Sequence, residues 1–125
     1  MNIKELTKAE EQIMQLLWQL KEAVVKDIIE LMPEPKPAYN TVSTVVRVLE
    51  GKGFIDHKAY GNSHVYFPSI SEATYRKFTF DKMMGNYFDN SYESLVSFIA
   101  HEKKLNIKQL DELSKLIEDL KNKKK

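Results

Sequence analysis

One stretch of the chain combines side chains that can contact nucleic acid with the spacing of a single helix face. Residues 39–52 are predicted to form an amphipathic helix, because apolar side chains recur there at the i, i+3, i+4 and i+7 positions, namely Val42, Val45, Val46 and Leu49. The opposite face carries short polar side chains and one guanidinium: Asn40, Thr41, Ser43, Thr44 and Arg47. Hydroxyl, amide and guanidinium groups match the base edges and phosphates of a DNA groove, so we expect this helix to read DNA.

Elsewhere the chain offers few groups for catalysis or for binding a metal. Its three histidines are His57, His64 and His101, and none is four residues from another, as a helical metal site requires. The absence of cysteine excludes disulfides, thiolate nucleophiles and Cys-based zinc or copper sites. The sequence also has no glycine-rich phosphate loop and no nucleophile–base set. We therefore expect no enzyme activity, no bound metal and no other cofactor.

Length and hydropathy indicate how many domains the chain can form and whether it enters a membrane. A chain of 125 residues with 42% hydrophobic residues holds one domain, or one small domain with an appendage. Its uninterrupted apolar runs are too short for a membrane-spanning helix. The first residues, MNIKELTKAEEQ, are too polar for a signal peptide. We expect a cytoplasmic protein without membrane insertion.

Charge indicates a nucleic-acid partner only locally. The formal net charge is +1, so the chain as a whole does not attract an anionic polymer. Residues 36–66 hold four basic side chains against two acidic ones, with two histidines nearby. The prediction of DNA binding therefore depends on the architecture that surrounds the polar helix face.

Two helices are predicted to precede the polar helix. The first opens at Thr7, which is expected to form a capping box with Glu10. The second covers residues 24–32 and is closed by three prolines between residues 33 and 37, because proline cannot continue a helix.

A β-hairpin is predicted to follow the polar helix. Residues 54–60 and 64–68 are rich in aromatic and β-branched side chains and are joined by a Gly61-Asn62 turn. Three helices followed by a hairpin have the order of a winged helix-turn-helix, in which the third helix enters the major groove and the hairpin forms the wing. Three wing side chains are expected to contact phosphates: Lys58, Asn62 and His64.

The rest of the chain is predicted to pair two copies of the protein. The fold class expected is mainly α, with a winged helix-turn-helix over residues 1–70 and a three-helix dimerisation domain over residues 71–125. Seven aromatic residues lie between residues 75 and 98, more than so short a segment can bury alone, and a symmetric partner is the simplest explanation. The expected interface or adjoining core comprises Tyr75, Phe78, Met84, Tyr87, Leu95, Phe98, Leu113 and Leu116.

Over essentially its whole length, the sequence resembles the penicillinase repressor family of bacterial winged-helix regulators. The segments that carry the resemblance are LTKAEEQIMQLLW, NTVSTVVRVLEGKGFIDHK and VYFP, with further similarity in SLVSFIAHEKKLN and LDEL. The resemblance implies a homodimer that represses transcription at a palindromic, inverted-repeat operator in double-stranded DNA. It also implies release of repression after proteolysis started by a membrane-bound sensor metalloprotease.

The polar positions of the third helix match the DNA-facing positions of the family, although the residue types carry over unevenly. Thr41 and Thr44 match the family in type. Asn40 and Ser43 stand where the antibiotic-resistance repressors have longer basic side chains, and Val48 stands where they often have arginine. This chain is therefore expected to make one phosphate contact fewer than those relatives.

Two further features separate this chain from members of the family. The bond that the family's protease cleaves joins an asparagine to a phenylalanine just after the SLV pattern, and here those positions are Phe98 and Ile99. The chain thus departs from the family pattern at the cleavage region. Relatives that sense copper use C-terminal cysteines, and this chain has none.

Two functional classes stay open at this level. One is a dimeric DNA-binding repressor, and the other is a winged helix used as a protein-interaction module without DNA binding. An acidic surface on the third helix and wing would favour a protein partner, whereas a neutral or basic surface favours DNA. The local charge is mildly basic, which favours the repressor.

Overall fold

The computed structural model describes residues 3–102 and 104–123 and is mainly helical, with one two-stranded sheet. In chain order the elements are α1 (Lys8–Leu20), α2 (Val25–Glu30), α3 (Tyr39–Gly51), β1 (Ile55–Tyr60), β2 (Ser63–Pro68), α4 (Glu72–Tyr87), α5 (Tyr92–Glu102) and α6 (Ile107–Lys123). Two compact units make up the chain, the first ending at Thr79 and the second beginning at Phe80. This division falls inside α4, whereas the sequence placed the boundary before that helix.

The first three helices meet in the core of the first unit. α1 begins with the predicted capping box, because Thr7 Oγ1 accepts a hydrogen bond from the Glu10 N–H at 3.2 Å and the Glu10 carboxylate accepts one from the Thr7 N–H at 2.9 Å. The largest fully buried side chains are Phe54, Met14, Leu17, Ile28, Leu49, Val42 and Val46. Each contributes about 1.5–3 kcal/mol by leaving water, which holds α3 against α1 and α2.

The hairpin has the predicted turn. Ile55 pairs with Pro68 at the base of the hairpin and Tyr60 pairs with Ser63 at its tip. Gly61, the residue after Tyr60, has a φ of +59°, a conformation that glycine adopts without a Cβ clash. Three helices followed by this antiparallel pair confirm the predicted winged helix-turn-helix.

A short backbone bridge ties the hairpin to the helices. Ala23, in the connection between α1 and α2, exchanges two hydrogen bonds with Tyr66 of β2, at 2.9 Å from the Ala23 N–H and 2.8 Å from the Tyr66 N–H. Both residues are buried. This single bridge fixes the two-stranded wing to the connection between α1 and α2, and no pattern in the sequence indicates it.

The first turns of α4 belong to the core of the first unit. Tyr75 is buried, its ring packs against Phe54 and Trp18 at centroid distances of 5.6 and 6.0 Å, and its hydroxyl oxygen accepts a hydrogen bond from the Leu6 N–H at 3.0 Å. The Trp18 indole N–H donates to the Ile70 carbonyl at 2.8 Å. These contacts explain why the first unit extends beyond residue 70.

The second unit is formed by the end of α4 with α5 and α6. Met84 is buried, and the Phe88 and Phe98 rings meet edge-to-face at 5.6 Å. α6 begins with the predicted reciprocal cap, in which Asn106 and Gln109 each accept the other's backbone N–H. No side chain of α5 or α6 is buried. Among the described residues, no helix is both long and apolar enough to cross a bilayer.

The end of α3 sets the direction in which the chain enters the wing. The Phe54 N–H bonds to the Leu49 carbonyl and the Gly53 N–H to the Glu50 carbonyl, each at 3.0 Å, which is the Schellman pattern of a helix end. Gly53 supplies the left-handed residue of this pattern, with a φ of +85°. Gly51 instead ends the helix itself and needs no such freedom.

The two glycines are expected to respond to alanine in opposite directions. Gly51→Ala should raise the free energy of unfolding by about 0.5 kcal/mol, because the new Cβ meets no described atom within 4 Å and alanine favours the helix. Gly53→Ala should lower it by about 1 kcal/mol, because alanine is strained at a positive φ. Urea unfolding of both variants measures the effects, and two changes of the same sign would contradict this account.

Candidate nucleic-acid interface

The polar face of α3 is accessible over most of its length. Asn40, Thr41, Thr44 and Arg47 are exposed, and Ser43 is half-buried. The Thr44 hydroxyl donates to the Asn40 carbonyl at 2.8 Å, so its remaining hydrogen-bonding capacity is as an acceptor, beside a free methyl group. The Arg47 Nε–H group lies 3.4 Å from the Ser43 carbonyl oxygen. The terminal nitrogens of the guanidinium remain available for an anion or a base edge.

A groove separates α3 from the start of α2 and the tip of the wing. It has a volume of about 520 Å³ and contains four of the predicted DNA-contacting residues, Ser43, Arg47, Asn62 and His64. The groove is also lined by Val24, Val25, Lys26, Tyr39, Ser63 and Tyr66. The structure thus joins the helix face and the wing into one concave surface.

Three predicted residues of α3 and one of the wing do not line this groove. Asn40, Thr41 and Thr44 continue the exposed face of α3 beside it. Lys58 lies on the other face of the hairpin, where its ammonium group is 5.4 Å from the centre of the Phe67 ring. Lys58 is exposed, so it extends the cationic surface of the wing away from the groove.

Lys26 and Tyr39 are two exposed groove residues that were not predicted from the sequence. Lys26 is exposed and adds a cation from α2, and Tyr39 keeps 58% of its surface exposed at the first position of α3. An exposed tyrosine immediately before the Asn40–Thr41 pair was a recognisable feature of the sequence. Lys26 was not, because its position opposite the wing depends on tertiary packing.

Two of the basic residues counted in residues 36–66 are engaged within the protein. The Lys36 ammonium group caps α2 by donating to the carbonyls of Ile29, Glu30 and Met32, at 3.3, 2.9 and 2.9 Å. The Lys52 ammonium group donates to Glu10 Oε1 at 2.7 Å. Among the described residues, Arg47 and Lys26 bring cations to the groove, and Lys58 adds one on the outer face of the wing.

Tyr66 keeps the inner wall of the groove uncharged. Burial raises the pKa of the Tyr66 phenol above its ordinary value of 10.0, and the nearby Glu50 carboxylate raises the pKa further. The phenol is therefore neutral at physiological pH and adds no repulsion toward an anionic ligand.

Comparison with known proteins identifies the family of this chain. The sequence profile of the penicillinase repressor family matches residues 6–119. The chain belongs to the penicillinase repressor family. The penicillinase repressor of Bacillus licheniformis is 25% identical over 124 residues, which cover 98% of this chain and 97% of that protein. Members of this family are DNA-binding transcriptional repressors rather than enzymes, as the sequence predicted.

Solved structures of related repressors align with the winged helix. The DNA-binding domain of the repressor BlaI shares 28% identity at a TM-score of 0.52, covering 59% of this chain and 92% of that one. The Bacillus licheniformis BlaI monomeric form in complex with the blaP half-operator shares 25% identity at a TM-score of 0.50, with the same coverages. Both likenesses confirm the fold class.

The residues predicted to pair two copies of this penicillinase repressor family member fall into two groups. Tyr75 and Met84 are buried within the chain and Phe78 packs against the core of the first unit, so these three are adjoining core rather than free surface. The half-buried residues are Leu95 and Leu113, and the exposed ones are Tyr87, Phe98 and Leu116. The exposed apolar surface extends beyond the predicted set, to Tyr92, Ile107, Leu110, Ile117 and Leu120.

The cleavage region lies within a regular helix. Phe98 and Ile99 are both inside α5, with Phe98 exposed and Ile99 half-buried. A protease binds its substrate as an extended chain, so α5 must open before this bond can be cut. Since α5 has no fully buried side chain, less packing opposes its opening than that of the buried helices of the first unit.

The structure also assembles side chains that could hold a metal ion, at the junction of α3 and β1. Glu50, Asp56 and His57 each bring one ligand atom within 4.8 Å of the other two. The spacing of the histidines and the absence of cysteine gave no indication of this group in the sequence. A carboxylate six residues before the Asp56-His57 pair was present in the sequence, but only the turn at Gly53 brings it close.

Proposed function

We propose that the protein represses transcription by binding an inverted-repeat operator as a homodimer, with α3 in the major groove and the wing beside the flanking backbone. The observation that carries this proposal is the single concave surface formed by Ser43 and Arg47 of α3 with Asn62 and His64 of the wing. A helix and a hairpin tip on one concave side fit a duplex, whose groove accepts the helix while the ridge beside it meets the hairpin. The BlaI complex with its half-operator supports this docking.

The charge beside the groove supports DNA over a protein partner. Arg47 and Lys26 line the groove, and Lys58 lies on the outer face of the wing. Glu50 is nearby, but its carboxylate is hydrogen-bonded to the His57 ring. The surface is thus weakly basic. We assign phosphates to Lys26 and Lys58 and base edges to Asn40, Thr41, Ser43 and Thr44, while Arg47 is long enough to reach either. A protein-interaction module without DNA binding is the second candidate, favoured only by the low charge.

The homodimer part of the proposal is supported by the exposed apolar stripe of α6. Four side chains recur there at the spacing of a coiled-coil seam, namely Leu110, Leu113, Ile117 and Leu120. Leu110, Ile117 and Leu120 are each more than 40% exposed, although α6 is 17 residues long and regular. In a two-fold symmetric dimer, the same stripe on a second copy of the chain covers this one. Two winged helices on one two-fold axis match two half-sites of a palindrome.

The proposal includes release of the operator by cleavage in α5 after activation of a sensor metalloprotease. Family membership and the weak packing of α5 support it. Because Phe98 and Ile99 replace the family's cleaved pair, we propose a protease of different side-chain preference acting at the same helix. Mass spectrometry of the chain recovered from induced cells tests this point, since an intact chain after induction would contradict it.

The reading of DNA by α3 is tested with Thr44 and Arg47. We expect Thr44→Ala to lower affinity for the best operator by roughly 1–3 kcal/mol and to change affinity for random DNA little. Because the side chain is short, it acts only where the helix sits close in the groove, through a hydroxyl bond to a base edge or a methyl contact with thymine. Arg47→Ala should weaken binding to all DNA if the guanidinium meets a phosphate, and should act like Thr44→Ala if it meets a base. Shift assays on operator and scrambled duplexes measure both effects.

Matched variants separate the contacts and provide the control. Thr44→Val keeps the methyl group and Thr44→Ser keeps the hydroxyl, so their difference identifies which of the two meets the base. Arg76→Ala removes an exposed arginine from α4, outside the proposed interface, and should leave binding unchanged. If Thr44→Ala and Arg47→Ala both melt and bind as wild type, α3 does not read DNA and the protein-interaction module takes first place.

A further inference from the structure

The junction between α3 and the wing holds three potential metal ligands in one place. Glu50 comes from the last turn of α3, and Asp56 and His57 come from the first residues of β1. One ligand atom of each lies within 4.8 Å of those of the other two. We propose that Glu50, Asp56 and His57 form a binding site for a divalent first-row transition-metal ion such as Zn²⁺.

The backbone around this group is fixed by buried contacts. The Schellman turn ends α3 at a set angle, and Phe54 and Ile55, which follow it, are buried at 0% and 2% exposure. Glu50 therefore cannot move far from Asp56 without disturbing the core. A site whose ligands are already close loses less conformational freedom on binding than one assembled by the ion.

The side chains are also oriented before an ion arrives. The His57 ring stacks on the His64 ring at a centroid distance of 4.4 Å and an interplanar angle of 12°, and it also packs near Tyr66 at 5.6 Å. Its Nδ1 atom is in contact with the Glu50 carboxylate, and Asp56 Oδ1 accepts the His57 backbone N–H at 2.8 Å. The imidazole is thus held on one side by rings, and its nitrogen faces the two acids.

The donor set selects the class of ion. One imidazole nitrogen with two carboxylate oxygens suits first-row divalent ions, and three protein ligands leave coordination positions for water. Zinc bonds of about 2.0–2.2 Å place tetrahedral ligand atoms roughly 3.4 Å apart. Small side-chain rotations reach that spacing from the observed limit of 4.8 Å. Mg²⁺ and Ca²⁺ prefer all-oxygen sites and should not compete, whereas Mn²⁺ should bind more weakly than Zn²⁺.

Zinc binding by the full-length, tag-free chain tests the proposal, measured by competition with a chromophoric chelator in the absence of DNA. We expect one Zn²⁺ per chain, and a loss of affinity of at least about tenfold in both His57→Gln and Glu50→Gln. His101→Gln is the matched control, because it removes an exposed histidine of α5 and should leave the affinity unchanged. Because no DNA is present, the result does not depend on the proposed operator binding.

A spectroscopic measurement keeps the test independent of how the variants fold. In wild-type protein, Zn²⁺ should shift the NMR resonance of the His57 Nδ1 atom and leave the His101 ring unchanged. The proposal is overturned if the folded wild-type chain binds no stoichiometric Zn²⁺, if His101→Gln loses as much affinity as His57→Gln, or if Zn²⁺ shifts only the His101 resonances.

Discussion

The double variant Ile117→Glu with Leu120→Glu is expected to be a folded monomer that binds a full operator at least about 100-fold more weakly than wild type. Neither side chain is buried in the chain, since their exposures are 42% and 49%, so the change is expected to leave the fold of the subunit intact. Two carboxylates per chain on the stripe of α6 would face their own copies across a two-fold axis and repel them. The second half-site contact then loses its high effective concentration.

Sedimentation and shift assays measure this outcome together. The double variant Ser114→Glu with Asn122→Glu adds the same charge to α6 outside the four-residue stripe and should remain dimeric. A half-site duplex provides a second comparison, because one winged helix suffices to bind it and the monomer should approach wild-type affinity there. A wild-type chain that sediments as a monomer, or a glutamate variant that remains a dimer, would disprove the proposed interface.

Lys52→Met is expected to lower the free energy of unfolding by about 3 kcal/mol at neutral pH. Its ammonium group bonds at 2.7 Å to Glu10, whose side chain is only 7% exposed, and removal of one partner leaves a buried carboxylate without its counter-ion. The double variant Glu10→Gln with Lys52→Met should recover part of the lost free energy of unfolding. Burying an amide costs less free energy than burying a charge, and the amide oxygen still accepts the Thr7 N–H. Urea unfolding measures both effects, and a loss under about 0.5 kcal/mol would show that the pair contributes only as a surface ion pair does.

The penalty of Lys52→Met should also depend on pH. Burial alone would raise the pKa of Glu10, but the hydrogen bonds from Lys52 and Thr7 and the Lys52 charge outweigh it and hold the pKa below its ordinary value of 4.5. A carboxyl whose pKa is lowered by folding stabilises the protein above its unfolded pKa, and this stabilisation is lost as the pH falls through the folded pKa. The difference between wild type and Lys52→Met should therefore shrink below pH 4.5, and an undiminished difference in acid would contradict the ion pair.

Local patterns predicted the helices and the wing because each is set by neighbouring residues. The capping boxes at Thr7 and Asn106 and the turn at Gly61 need only three or four residues to form, and all are present. The Ala23–Tyr66 bridge uses backbone groups alone, so no side-chain pattern marks it. The aromatic residues of α4 lie almost all round the helix. Their spacing therefore did not predict which side would be buried, and Tyr75 packs into the first unit.

Only the part of the candidate interface that lies on one face of a single helix could be predicted from the sequence. Periodicity identified Ser43 and Arg47 on the polar face of α3, but the groove that joins them to His64 depends on how the hairpin packs. Counting charges also overstated the free cations, because Lys52 pairs with Glu10 across 42 positions of sequence. Contacts of that separation follow from the assembled fold and cannot be read from spacing.

The Ala23–Tyr66 bridge divides the wing into a rigid base and a compliant tip. The Tyr66 N–H and carbonyl are both bonded to Ala23 on one side of β2, and β1 pairs with β2 on its other side, whereas the Gly61-Asn62 turn lies beyond the bridge at the tip of the hairpin. Amide hydrogen exchange should therefore be slowest at Ala23 and Tyr66 and accelerate toward Ser63. In the proposed complex, a flexible tip on a fixed base would let the wing adjust to flanking DNA backbones of different local shape while α3 keeps one position in the major groove.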